Sequence, residues 1–248
     1  MPRHHDRRGQ VPDRPGPLRW MRSLCPGLQS KRDSPEGEGM SLKIMISGTG
    51  GQGILFTTRL LTGFFVGRGR KVVTSQIHGM SQRGGSVQSS VLVDAGDSPV
   101  IGRGDADILL GFEPVETVRA LDCASARTAV FMNTTPVIPF VLSQQYVQKQ
   151  GPGTYPDLAA LGDTIREVTP SLFQFDATTM ARDAGSSKSL NLVMTGCLFG
   201  TGIIPGSAGD FETWFRENGN PGQGEPNLRA WAGGVALGKR LNPVEQER

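Results

Sequence analysis

Leu42-Lys43-Ile44-Met45-Ile46-Ser47-Gly48-Thr49-Gly50-Gly51-Gln52-Gly53-Ile54-Leu55 is the stretch that decides the fold. Leu42 to Ser47 is a short apolar run of strand length. Gly48, Gly50 and Gly53 then fall at G-x-G-x-x-G spacing. Beyond them Ile54, Leu55, Leu61, Phe64 and Phe65 share one face at helical spacing, up to Gly67 and Gly69. Val72 to Gln76 reads as the next strand, so the order is strand, glycine turn, helix, strand: a βαβ unit. Glycines at this spacing let the backbone turn tightly and approach a ligand. The helix start that follows offers unpaired N–H groups and a partial positive charge to a phosphate.

A dinucleotide site of this type also needs a carboxylate near the end of the second strand, to hold the ribose hydroxyls. No Asp or Glu occurs from Gly39 to Val93, and the strand ends in Ser75-Gln76. Arg68, Arg70 and Lys71 carry the charge that a 2′-phosphate would meet, but they precede the strand. Three readings of the turn stay open: an NAD(P) site, a site for a different anion, and a purely structural connection.

The second strand runs into Ser75-Gln76-Ile77-His78-Gly79-Met80-Ser81-Gln82-Arg83-Gly84-Gly85-Ser86. In a parallel sheet this loop leaves at the carboxyl edge, the same edge as the glycine turn, and open α/β folds bind ligands there. His78 is the one histidine outside the first 40 residues and the sole catalytic candidate. Gln82 adds an amide, Gly84 adds freedom, and Arg83 carries a guanidinium suited to a phosphate or carboxylate. The loop reads equally as a ligand or partner contact and as one whose His and Arg pin neighbouring backbone. A self-contained hydrolase finds no G-x-S-x-G and only one base.

Further along, Val87, Val91 and Val93 alternate with Gln88, Ser90 and Leu92, a strand with one wetter face in which Ser89 breaks the pattern. Asp107–Gly111 and Thr128–Met132 read as buried strands around a helix from Glu113 to Leu121. Phe140 to Pro170 lacks regular periodicity and reads as an excursion or insertion. Leu172–Asp176 reads as a strand, Thr178–Asp183 as a short helix stopping at Gly185, Leu190–Thr201 as a helix apolar nearly all round, and Asn227–Lys239 as a final amphipathic helix. The fold class is therefore α/β: a largely parallel sheet with helices on both faces and a Rossmann-like start.

The net charge of +3 lies entirely in residues 1–40, which hold eight Lys/Arg against five acids. The neutral remainder gives no case for nucleic acid or an anionic membrane surface as partner. No apolar run is long enough to span a bilayer, and with widely spaced cysteines read as reduced thiols and no secretory apolar core, the body is expected to be cytoplasmic. Residues 1–40 lack apolar periodicity and are expected to be disordered or an over-called extension, with Met40 as the natural start. A single domain is expected over 41–242, and 243–248 form a short tail. Cys25, Cys123 and Cys197 are widely spaced, with no C-x-x-C, so an internal iron–sulfur cluster or zinc site is not expected.

Taken together, Gly48-Thr49-Gly50-Gly51-Gln52-Gly53, His78-Gly79-Met80-Ser81-Gln82-Arg83-Gly84-Gly85-Ser86-Val87 and Ala106-Asp107-Ile108-Leu109-Leu110-Gly111-Phe112-Glu113-Pro114 resemble the γ-type domain of the 2-oxoacid:ferredoxin oxidoreductases. Within that family the likeness is to the small (beta) subunits of the indolepyruvate:ferredoxin oxidoreductases. Asn133-Thr134, Pro136, Pro139 and Asn191 also fit, and the resemblance covers roughly Leu42 to Leu241. It implies a subunit of a complex that oxidatively decarboxylates an aryl pyruvate, passes electrons to ferredoxin and leaves the acyl group on coenzyme A, the co-substrate. Thiamine diphosphate, magnesium and iron–sulfur clusters are then expected on a large partner subunit, and none on this chain alone. The sequence agrees: its Gly-Asp pairs, at Gly96, Gly104, Gly162 and Gly209, lack the second glycine of a thiamine–magnesium signature. Gly48, Gly50, Gly51, Gln52, Gly53, His78, Gln82, Arg83 and Gly84 are the expected cofactor or interface residues. An independent NAD(P)-binding reductase and a non-catalytic scaffold of the same fold are the alternatives.

Overall fold

The computed structural model describes residues 41–78, 84–137, 155–219 and 224–241. Six strands form one sheet: β1 (Leu42–Thr49), β2 (Val72–His78), β3 (Ser86–Val93), β4 (Ile108–Gly111), β5 (Ala129–Asn133) and β6 (Leu172–Phe175). The helices are α1 (Ile54–Gly67), α2 (Pro114–Arg119), α3 (Leu158–Val168), α4 (Ala177–Asp183), α5 (Leu190–Gly200), α6 (Ala208–Asn218) and α7 (Gly224–Leu241).

The strand order is β2-β3-β1-β4-β5-β6. β1, β4, β5 and β6 pair in parallel, while β3 runs antiparallel to both β1 and β2. Five strands thus share one direction and β3 is reversed between β1 and β2. The β1–α1–β2 unit exists, but its two strands are not neighbours.

One face of the sheet carries α1, α4, α5, α6 and α7 over the main core. Ile44, Ile46, Leu61, Phe64, Val91, Leu110, Phe131 and Trp231 belong to that core. The other face is covered over β4 and β5 by Ala120, Ile165 and their neighbours on α2 and α3. Ser89, the break in the β3 pattern, points into the main core and is paired there: Thr58 of α1 donates to Ser89 Oγ (2.9 Å), and Ser89 donates to the Ser75 carbonyl (2.9 Å). The opposite face of β3 is not uniformly wet, because Ser90 and Leu92 are both 2% exposed.

All eleven residues of α5 are buried, as a helix apolar all round requires. α5 meets α7 at glycines: a Cβ on Gly234 or Gly238 would collide with carbonyl oxygens of α5, and one on Gly196 would stand 2.5 Å from the Trp231 carbonyl.

Two helices differ from the sequence expectation. Part of the supposedly irregular stretch is α3, whose buried stripe is only Leu161, Gly162 and Ile165. α6 has a capping box: Ser207 Oγ accepts from Asp210 N (3.0 Å) and Asp210 Oδ2 accepts from Ser207 N (2.9 Å). Among the described residues no helix is long and apolar enough to cross a membrane.

Candidate functional site

β1 ends at Thr49 and α1 starts at Ile54, with the glycine turn between them. Gly51 (φ 104°) and Gly53 (φ 81°) stand in the left-handed region, where a side chain is strained. Gly48 is glycine for packing: a Cβ there would stand 2.8 Å from atoms of Gln52, Ile54 and Phe112. Gly53 caps α1 without a side chain to offer, and no acid lies in the first turn.

The connections after β1 and β4 leave for opposite faces of the sheet, so the crevice between these strand ends is the switch point at which open α/β sheets hold ligands. Here the Gln52 side chain spans it. Gln52 Oε1 accepts from Thr49 N (2.8 Å) and Thr49 Oγ1 (3.1 Å), and Gln52 Nε2 donates to the Phe112 carbonyl (2.8 Å). Gln52 therefore ties two strand ends together, and its polar atoms point inward to protein.

The tie continues along the edge. Asn133, fully buried at the end of β5, donates to the same Phe112 carbonyl (3.0 Å) and to Thr178 Oγ1 (3.1 Å). Its Oδ1 accepts from Ala177 N (3.0 Å) at the start of α4. Glu113, 2% exposed, caps α2 by accepting from Glu116 N (3.0 Å). The other Glu113 oxygen accepts from Val137 N (3.3 Å) and from the Tyr155 hydroxyl. Burial, together with the Glu113 carboxylate, pushes the Tyr155 phenol up from its ordinary value. The Asn133 and Glu113 parts of the resemblance are thus structural fasteners at the carboxyl edge.

Gly84 and Gly85, which lead into β3, stand beside the glycine turn. Gly48, Val87 and His78 are aligned across β1, β3 and β2, and Gly50 N donates to the Gly85 carbonyl (2.9 Å). Gly84 is left-handed (φ 71°). Gln82, Arg83 and the His78 side chain lie outside the described residues. Asn191 closes the site from the helical face: in the first turn of α5, its Nδ2 stands 3.0 Å from the Cβ position at Gly53.

A second concavity, about 400 Å³, opens on the other face of the sheet. Ser75, Gln88 and Ser90 line it together with Arg103 and Arg119, and Ile77 and Val100 stand 66% and 70% exposed beside it. No spacing in the sequence signals this cleft, because it arises where the β2–β3 hairpin extends past the cover on that face.

The interposed β3 bears on the dinucleotide reading. Neighbouring strands lie about 4.8 Å apart, so the end of β2 stands about 10 Å from the glycine turn instead of beside it. A ribose held at the turn finds β3 where a dinucleotide fold places its acid. The described residues also do not fit an iron–sulfur cluster. Cys123 and Cys197 are buried singly, with thiols pushed up by burial to about 11 and about 12, and no three His, Cys, Asp or Glu side chains come together among them.

The family model described as pyruvate ferredoxin/flavodoxin oxidoreductase matches residues 43–237. The chain belongs to that family. It is 34% identical over 191 residues to the indolepyruvate oxidoreductase subunit IorB of Archaeoglobus fulgidus, covering 77% of this chain and 92% of the relative. With the protein of the same name from Methanothermobacter thermautotrophicus it shares 35% identity over 195 residues, 79% of this chain and 96% of the relative. The fold matches the keto/oxoacid ferredoxin oxidoreductase γ subunit of Geobacter sulfurreducens (TM-score 0.55, 21% identity, 80% of this chain, 99% of that one). It also matches the 2-oxoglutarate:ferredoxin oxidoreductase of Magnetococcus marinus (TM-score 0.58, 21% identity, 83% of this chain), where it spans 32% of a longer polypeptide. The chain is a small, γ-type subunit of the 2-oxoacid:ferredoxin oxidoreductase class.

Proposed function

We propose that this chain is the cofactor-free small subunit of an oxidoreductase that decarboxylates an aryl pyruvate to the acyl-coenzyme A and passes the electrons to ferredoxin. Thiamine diphosphate, magnesium and the iron–sulfur clusters belong to a large partner subunit, and the complex works in the cytoplasm. The observation that carries this reading is the match at 34–35% identity along 92–96% of relatives named indolepyruvate oxidoreductase subunits. The donor set of the described residues supports the division of labour, because it does not suit a cluster. The interposed β3 weighs against an independent NAD(P)-binding reductase.

In this reading the carboxyl edge is the working face. The glycine turn and Gly85 meet there, and Gln52, Asn133 and Glu113 fasten the edge so that it is presented as one rigid surface. Arg83 and His78 contact a phosphate-bearing cofactor or a partner carboxylate by binding, not proton transfer. Exposed Ile77 and Val100 support burial of the adjoining hairpin in an assembly.

Co-expression of this chain with a large subunit carrying thiamine and ferredoxin-type cysteine motifs tests the assignment. The pair is expected to co-purify at fixed stoichiometry, with iron and thiamine only when the partner is present. A chain that purifies alone with bound iron, or that never associates with the partner, would overturn it.

A further inference from the structure

β2 (Val72–His78) lies at one side of the sheet, and no strand of the described residues pairs with its outer edge. An open edge is a template for another strand, and folds normally blunt it with shortness, proline, a bulge or a charge. β6, on the opposite side, is blunted by length, with four residues. β2 has seven residues and none of these devices. It contains no proline, lysine, arginine or acid. Its register with β3 runs one residue to one from Val72↔Val93 to His78↔Val87, without a bulge. Ile77, near its end, is 66% exposed.

The ladder shows which backbone groups face outward. Lys71 continues it, and its carbonyl accepts from Asp94 N (2.8 Å). Bonded and non-bonded pairs alternate along an antiparallel ladder. Val73, Ser75 and Ile77 therefore bond inward to β3, while Val72, Thr74, Gln76 and His78 turn N–H and C=O outward. This edge is complementary to itself. About a two-fold axis at Ser75, Thr74 faces Gln76 of a second copy and Val72 faces His78 of that copy, all of them outward residues. Each such pair exchanges two hydrogen bonds, so the register makes about eight. On the face of the second concavity, Val73 meets Ile77 of the second copy, an apolar cross-strand pair that covers an exposed side chain at each end. No like charges meet. The two copies of Lys71 stand about 27 Å apart along the strands, well beyond screening distance, and each is paired with its own Asp97. We propose that this chain forms a two-fold dimer in which β2 pairs antiparallel with β2 of a second copy, joining two six-stranded sheets into one.

Sedimentation velocity of the full chain across the micromolar range should show a monomer–dimer equilibrium. Thr74→Pro removes one outward N–H at a position where an edge strand tolerates proline. It should raise the dimer Kd at least tenfold while the circular dichroism stays that of the wild type. Ile77→Lys changes an exposed side chain and leaves the backbone alone, and it should weaken the dimer likewise. The register is read by disulfide trapping in a Cys25→Ser background, in which Cys123 and Cys197 stay buried. Ser75 meets its own copy at a non-bonded pair, with Cα atoms about 4.5 Å apart, so Ser75→Cys should link two chains on mild oxidation. The two copies of Val73 lie about 13 Å apart along the strands, so Val73→Cys should not. A chain monomeric throughout the range, a dimer unaffected by both Thr74→Pro and Ile77→Lys, or a link that forms at Val73→Cys and not at Ser75→Cys would overturn the pairing. The dimer goes beyond the proposed function, and each of these outcomes leaves association with a large subunit untouched.

Discussion

Gln52 donates to the carbonyl oxygen of Phe112 at 2.8 Å, joining the turn after β1 to the end of β4. The crevice in which related architectures hold a ligand is filled by this side chain. Gln52 therefore fixes the glycine turn. Gln52→Met keeps the volume and removes every polar contact, leaving Thr49 N without its acceptor. Losing such bonds costs about 1–3 kcal/mol. Urea denaturation should show the loss, and an unchanged midpoint would mean that the turn holds itself.

The tight contact between α5 and α7 gives opposite outcomes at adjacent residues. A Cβ on Gly234 collides with the Val193 carbonyl, whereas one on Gly233 finds only Met180 Cε at 3.8 Å. Gly234→Ala should destabilise by about 1–3 kcal/mol or more through overpacking. Gly233→Ala should stabilise by about 0.5–1 kcal/mol through helix propensity. Thermal melting of the two variants reads the sign directly.

Much of this was legible from residues and spacing. The β1–turn–α1 unit follows from apolar period and glycines, and the total burial of α5 follows from a segment apolar on every side. The reversal of β3 was not legible, because alternation marks which face a strand buries and says nothing of its direction. α3 hid behind a stripe of three buried residues in a stretch punctuated by glycine and proline. α6 was findable: Ser207 and Asp210 stand at capping-box spacing ahead of Phe211, Trp214 and Phe215. At the site, the resemblance singled out Asn133 and Asn191 without roles. Their partners, Phe112 and Gly53, are distant in sequence and become neighbours only through the sheet.

Asp176 caps α4, accepting from Thr179 N (2.8 Å), Thr179 Oγ1 (2.7 Å) and Thr135 Oγ1 (2.8 Å). The Thr179 backbone N–H, aided by the two hydroxyls, holds its carboxyl below the ordinary 3.8. A lowered carboxyl adds stability above its unfolded value and loses it as pH falls through its folded one. Asp176→Ala should therefore cost about 1 kcal/mol at neutral pH. The ionisation-dependent part of that cost should fade only below 3.8, and pH-dependent denaturation of the two proteins measures it. A gap closing already well above that value would contradict the cap.

In the assembled enzyme, Arg83→Ala should raise the apparent KM for coenzyme A, or the Kd between subunits, by about ten- to a hundredfold. Charged hydrogen bonds are worth about 1.5–3 kcal/mol, at about 1.4 kcal/mol per decade. Arg83→Lys should recover part, since it keeps the charge and loses the fork. If KM values for coenzyme A and thiamine diphosphate and the subunit Kd all stay at wild-type levels, the loop is structural.

The central claim is that this chain completes an aryl-pyruvate oxidoreductase without carrying its redox chemistry. The most direct measurement is ferredoxin reduction driven by 2-oxoacids and coenzyme A, with this chain, its large partner and the reconstituted pair assayed in parallel. The pair should reduce ferredoxin with indolepyruvate or another aryl pyruvate, while this chain alone gives no rate. Ferredoxin reduction by this chain alone, or a pair that turns over no aryl pyruvate, would contradict the account.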